Sequence, residues 1–444
     1  MGFHFENLLR GLGGLLFLIF ICYLFSSNRK AINWRVVTIG VAAQIGFGIG
    51  VLSGGKYNFF RITLEFFSKA FVKLINLSHS GTEFIFGNVA DSTQTWAYIF
   101  AVQVLPNIIF FAALSAILYY LGVLQKVVFV FAWLLSKLRI TGPESVSTAA
   151  NIFLGQTEAP LMIRPFLDKM NRSEILCIMV GGMANTAGSV LAAYVGMLGG
   201  NDIELQKYFA LHMLSQSIMS APAAIVCSKL LLPQSKDYEV DTRVEIPKQK
   251  LGENFLDALS MGTTDGLKLA VNVGAMLVAF IALMKVLNYI LFKAGDWTGL
   301  NEHIVALNPS LYAHPGVSPE DKGLTLQFIL GYLFAPVAWL IGVDGVNTVQ
   351  VGQLLGIKTI INEFVAYQQF AVLKKEGLLN PKSILMATYA LSGFANFSSI
   401  GIQIGGISQL APNQRKNLTE LGLKALLGGT IACLMCSCVA GMLY

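Results

Sequence analysis

Of the 444 residues, 55% are hydrophobic and only 13% are charged, and the mean hydropathy is +0.62. Soluble domains carry about 25% charged residues, so this composition excludes an ordinary water-soluble domain and implies an integral membrane protein, and apolar stretches long enough to span (~20 residues) recur along it, which makes it all-α. The net charge of +6 is no nucleic-acid signature, because Lys and Arg gather in a few loops as the positive-inside rule requires.

The first elements are two spanning helices near residues 8–26 and 33–54. No small-residue cleavage site follows the first apolar run, so it reads as a retained helix rather than a signal peptide. The basic turn Ser27-Asn28-Arg29-Lys30, with Arg35, places the N-terminus outside. Over residues 56–77, Arg61, Glu65, Lys69 and Lys73 recur every four positions, and Phe60, Leu64, Phe67, Phe71 and Leu74 line the other side. That spacing predicts a helix lying in the membrane interface. A span at 96–122 leads into an amphipathic stretch at 124–139 whose Lys126, Lys137 and Arg139 mark the cytoplasmic side.

Residues 142–168 open with Gly142-Pro143-Glu144 and leave through Arg164, Asp168, Lys169 and Arg172. Basic residues at both ends of so short a segment return it to the same side, as a re-entrant hairpin with its tip at Gly155 to Pro160. Spans at 173–199 and 203–232 and a charged inner loop at 234–250 follow. The second half repeats the plan with opposite orientation: a span at 266–293, an outer loop at 295–322, an interfacial helix at 324–343, a hairpin at 346–375, and spans at 381–408 and 417–442. The run Gly182-Met183-Ala184-Asn185 aligns with Gly393-Phe394-Ala395-Asn396. Four sections result: N-terminal scaffold helices (1–95), a first repeat (96–232), a cytoplasmic loop (233–265) and a second, inverted repeat (266–444), the plan of a secondary transporter.

Each hairpin carries a carboxylate, Glu158 and Glu363, at a depth where one costs roughly 2.5–3.5 kcal/mol, so each should face a cavity or a ligand. No basic residue stands out at comparable depth in either hairpin to pair with them. The helices after the hairpins are interrupted by Gly-rich, hydrogen-bonding runs, Gly181 to Ser189 and Gly393 to Gly401. Acidic and amide side chains without Lys or Arg argue against an anionic solute. A polyhydroxylated neutral molecule with a heterocycle fits, with Phe394 against a ring, and a cation fits almost as well. Among the six cysteines, Cys433, Cys436 and Cys438 cluster in the last helix with no His nearby, which reads as small-residue packing rather than a metal site.

The strings Gly155-Gln156-Thr157-Glu158-Ala159-Pro160, Asn362-Glu363-Phe364-Val365-Ala366-Tyr367 and Gly393-Phe394-Ala395-Asn396-Phe397-Ser398-Ser399-Ile400-Gly401 resemble the concentrative nucleoside transporter family over essentially the whole chain. The resemblance implies a homotrimer whose protomers have eight spanning helices, two re-entrant hairpins and interfacial helices, with a scaffold and a mobile transport domain. It implies that Gln156, Thr157 and Glu158 face the nucleobase with Val190 nearby, that Glu363, Asn396 and Ser399 face the ribose, and that Phe394 lines the pocket. A coupling sodium ion would fall to Asn151, the Leu154 carbonyl, Asn185 and the Thr186 carbonyl, with no other cofactor. Asn185 stands where sodium-coupled members carry Ser, which leaves a proton-coupled symporter as the alternative. Partners would be the nucleoside, sodium and lipid, in a bacterial inner (plasma) membrane. An intramembrane hydrolase using Glu158 and Glu363 is the reading from another class; it finds no nucleophile–base pair and no metal-ligand spacing. A passive channel suits two re-entrant tips poorly.

Overall fold

The computed structural model describes residues 5–52, 58–90, 99–235, 240–246, 252–307 and 322–444, which are mainly helical with no strand among them. Helices α1 (Phe5–Leu24) and α2 (Trp34–Leu52) are joined by a tight basic turn. Arg29 of that turn donates to the carbonyls of Tyr23 (3.2 Å) and Leu24 (2.8 Å), closing the exposed C-terminal end of α1 with a cation. Helix α3 (Phe59–Phe86) starts on Asn58, whose side chain accepts from the Arg61 N–H, and runs nine residues past its expected end. Its stripe carries the Arg61–Glu65 ion pair at 2.8 Å. On the apolar side Leu64 is buried, while Phe60 and Phe67 are exposed, as an interfacial helix requires.

A short turn, α4 (Phe100–Gln103), leads to α5 (Leu105–Tyr120), and Gly122 at φ +72° swings the chain into α6 (Val123–Ser136). The first hairpin is α7 (Gly142–Ala150), a tip, a 3-10 turn (Ala159–Ile163) and α8 (Arg164–Leu167). Next come α9 (Arg172–Ala184) and α10 (Gly188–Gly199), a single span broken at Asn185 to Ala187, then α11 (Ile203–Leu231). The second half holds α12 (Phe255–Thr298), α13 (Leu300–Leu307), α14 (Leu326–Leu340), the second hairpin α15 (Thr348–Ile360) and α16 (Glu363–Lys375), a second broken pair α17 (Pro381–Leu391) and α18 (Phe397–Leu410), and α19 (Arg415–Met442). Among the described residues, seven helical stretches are long and apolar enough to cross a membrane; the expected span at 381–408 is interrupted into helices of 11 and 14 residues. Half of the outer loop (308–321) and parts of the inner loop (236–239 and 247–251) lie outside the described residues.

Helix α12 extends over 44 residues rather than the expected 266–293 and packs along α5. Gly262 and Gly266 allow the approach: a methyl at either would lie 2.5–2.8 Å from the Cβ of Ala116 or Ala112. Only 17% of its apolar window is buried, against 94% for the α9–α10 stretch. The first broken span therefore sits at the centre of the protein, packed against α11, with its α9 half also against α19, while α12 borders the outside. The cysteines are all free and buried, and Cys436 accepts from the Gln44 amide. Among the described residues, no group of three or more His, Cys, Asp or Glu side chains is arranged to hold a metal ion.

Candidate functional site

The two broken spans cross at their breaks. Gly393, at φ +149°, lies where a methyl would meet the Met183 and Ala184 carbonyl oxygens at 3.0 and 2.9 Å. The Phe394 N–H then donates to the Asn185 carbonyl at 3.3 Å. Backbone freed by one break is thus satisfied by the other, the condition under which irregular chain survives at depth. Gln216 and Cys433, from α11 and α19, donate to the Ala184 carbonyl at 3.1 and 3.5 Å and complete the junction.

Both hairpin tips converge on this crossing. In the second hairpin, Gln353 donates to Gln369 at 2.7 Å, which sets α15 and α16 antiparallel around the turn at Ile361 and Asn362. Asn362 caps α16 by accepting from the Val365 N–H, and Glu363 follows in the first turn, where the helix dipole favours an anion. The Glu363 carboxylate accepts from Asn396 Nδ2 at 2.5 Å and from the Tyr194 hydroxyl at 3.2 Å. Asn396 is itself the cap of α18: its Oδ1 accepts from the Ser399 N–H (2.9 Å) and the Ser398 hydroxyl (2.7 Å). Gln156, at the first tip, donates to Ser399 Oγ at 3.2 Å. One hydrogen-bonded chain therefore runs from the first tip through Ser399, Asn396 and Glu363 to Tyr194.

Close packing fixes the first tip. Glu158 accepts from the Gly155 N–H at 3.2 Å, and the Gly188 N–H donates to the Phe153 carbonyl at 3.1 Å, tying tip to break. A methyl on Gly182 would sit 2.6 Å from Gln403 Nε2 and 2.9 Å from Gln156 Cβ, and one on Gly406 would sit 2.7 Å from Thr157 Cγ2. Of the expected contact residues, Gln156, Glu363, Asn396, Ser399, Phe394 and Val190 are buried, Thr157 is half-buried and Glu158 is exposed. Gln156, Ser399, Asn396 and Glu363 are joined directly. Glu158 bonds within its own tip, to the Gly155 N–H, while Glu363 bonds to Asn396 and Tyr194.

The expected cation ligands divide. Asn151 Oδ1 is buried without a partner, as are the hydroxyls of Ser147, Thr148 and Thr186. Asn151 Nδ2 and Thr148 Oγ1 both lie beside Gly181, at 3.4 and 3.6 Å from a methyl placed there. Buried oxygens left unpaired cost about 1–3 kcal/mol each, and such a neutral oxygen set suits a hard monovalent cation. Asn185, by contrast, is engaged: its Oδ1 accepts from Ser220 at 2.6 Å and its Nδ2 donates to the Gly181 carbonyl at 3.3 Å. Leu154 is buried on the same turn, its N–H bonded to the Ala150 carbonyl.

Three residues escaped the sequence reading. Tyr194 stacks on Tyr367 with ring centroids 4.0 Å apart and bonds Glu363; a hydroxyl-bearing aromatic inside an apolar half-helix was its only signal. Gln403 donates to the Met179 carbonyl at 3.0 Å while its own oxygen is unpartnered. Lys358 corrects an expectation: a basic residue of the second hairpin does lie buried near Glu363, 2% exposed, with its ammonium on the Ala390 carbonyl at 2.8 Å. At the base of the first hairpin Lys229 pairs with Glu144, which also caps α7 through Thr141.

Comparison with known proteins places this geometry. Residues 212–441 match the family model described as Na+ dependent nucleoside transporter C-terminus, residues 13–89 its N-terminus, and residues 101–201 a nucleoside recognition segment. An uncharacterized transporter of Haemophilus influenzae is 40% identical over 98% of both chains. Sodium/nucleoside cotransporter 1 of Rattus norvegicus is 34% identical over 96% of this chain, which spans 62% of that longer protein. The structure of CNTnw in an inward-facing substrate-bound state superposes with a TM-score of 0.85 at 37% identity, covering 98% of each chain. A variant of CNTnw in an outward-facing state superposes with a TM-score of 0.86.

Proposed function

This chain belongs to the Na+-dependent nucleoside transporter family, and we propose that it imports nucleosides by holding one molecule between its two hairpin tips. It is a multi-pass membrane transporter and not an enzyme. The observation that carries the reading is the hydrogen-bonded chain from Gln156 to Glu363, which makes one site of residues 207 positions apart. Gln156, Thr157 and Glu158 face the nucleobase beside Val190, and Phe394 packs at its edge. Glu363, Asn396 and Ser399 take the ribose hydroxyls, each bond to a charged acceptor contributing about 1.5–3 kcal/mol. Entering hydroxyls replace or share the contacts Glu363 now makes, so the site is preformed and polar.

Sodium is the coupling ion, held by Asn151, the Leu154 carbonyl, Asn185 and the Thr186 carbonyl, with the hydroxyls of Ser147 and Thr148 within the same polar wall. The matched models are those of Na+-dependent transporters, which favours sodium over a proton. A membrane potential of about 100 mV contributes ~2.3 kcal/mol per charge and a ~10-fold gradient ~1.4 kcal/mol, enough to accumulate a neutral solute several hundredfold. The α5–α12 pair forms the static frame of a homotrimer, and the hairpins with the broken spans move against it. Uptake of radiolabelled uridine into proteoliposomes tests this: an inward sodium gradient should drive accumulation above equilibrium. Equilibration that ignores sodium, or no uptake of any nucleoside, would refute it.

A further inference from the structure

Lys358 and Glu363 flank the second tip, the one in the last turn of α15 and the other in the first turn of α16. Each reaches the same broken span, at opposite ends of its break. The Lys358 ammonium donates to the Ala390 carbonyl in the last turn of α17, where unpaired carbonyls gather partial negative charge. The Glu363 carboxylate accepts from Asn396, the cap of α18, where free N–H groups gather partial positive charge. The hairpin thus presents a cation to the negative pole and an anion to the positive pole of one interrupted helix. Both side chains are at least nine-tenths buried, so neither charge is screened by water. The first tip has no such counterpart: Glu158 is exposed and bonds only to its own turn.

We infer that Lys358 is a positioning residue for nucleoside recognition: by clamping α15 to the end of α17 it sets where the Glu363 carboxylate stands relative to Asn396, and so sets selectivity for the ribose hydroxyls. It does not touch the substrate, since its ammonium is turned to the Ala390 carbonyl. A pure space-filling role would act on every ligand alike. Positioning acts on those ligands whose hydroxyls Glu363 reads. The inference rests on the ribose assignment above, and its test separates the two.

Binding of uridine and of 2′,3′-dideoxyuridine to the purified full-length protein in sodium is measured by calorimetry. Lys358→Met should weaken uridine at least about tenfold while leaving the dideoxy analogue within about twofold. Glu363→Gln should give the same pattern, and the double variant should bind uridine no more weakly than Glu363→Gln alone. Equal weakening of both ligands by Lys358→Met, or effects that multiply in the double variant, overturns the inference. If Lys358→Met alone does not fold, the double variant decides: recovery of folded protein when both charges are removed supports the clamp, and continued misfolding overturns it. Retention of uridine selectivity in Glu363→Gln would instead overturn the ribose assignment itself.

Discussion

The two hairpins share a plan and spend their charges at opposite ends. The first anchors its base, where Glu144 is buried against Lys229 and caps its own helix, and leaves its tip under-bonded, with Glu158 held only by its own turn. Gln156 Oε1, Asn151 Oδ1 and the hydroxyls of Ser147 and Thr148 lie buried there without partners. The second hairpin fastens its tip, with Lys358 on Ala390 and Glu363 on Asn396 and Tyr194. Its base is held by neutral amides and by Lys382, which contacts Asp344 at 3.1 Å. Free oxygens mark the half that waits for ligands, and saturated charges mark the half that orients one.

Breaking the base of the first hairpin should have the largest effect. Lys229→Met leaves Glu144 buried without its cation, which should cost about 3–5 kcal/mol of stability, read as a lowered thermal transition in detergent. The uridine affinity of the protein that remains folded should be unchanged, because the base reads no substrate. Glu363→Gln strikes the fastened tip: uridine binding should weaken by about 1.5–3 kcal/mol with little loss of stability, checked by calorimetry and by uptake. Gly182→Ala presses a methyl between the halves, 2.6 Å from Gln403 and 2.9 Å from Gln156 Cβ. It should weaken uridine by about 1–3 kcal/mol through displacement of the first tip, and unchanged binding would mean that this tip yields freely. Asn185→Ala is the mildest, since Ser220 and Gly181 already occupy its amide. It should raise the sodium needed for half-maximal uptake by about tenfold or less without changing the order of preferred nucleosides.

Much of this arrangement was legible in the chain. Charges at both ends of residues 142–168 gave the first hairpin, and the paired Gly-x-Ala-Asn runs gave both breaks, because a polar, glycine-rich run is incompatible with an unbroken lipid-facing helix. What stayed hidden depends on distant contacts. Nothing near Gly393 announces that it needs room for the Met183 and Ala184 carbonyls, and nothing near Tyr194 announces Glu363. Lys358 was overlooked because its partner, the Ala390 carbonyl, is a backbone atom 32 positions away. Helix α12 outran its apolar core because its polar ends, including Asp257 and Asp265, remain helical beyond the hydrophobic stretch.

The central claim is that both tips build one nucleoside site filled together with sodium. Uridine affinity measured by calorimetry over a series of sodium concentrations, for the native chain and for Gln156→Ala and Glu363→Gln, tests it most directly. Affinity should rise with sodium in the native chain and fall in both variants. Sodium-independent affinity, or a variant at either tip that binds uridine normally, would contradict it.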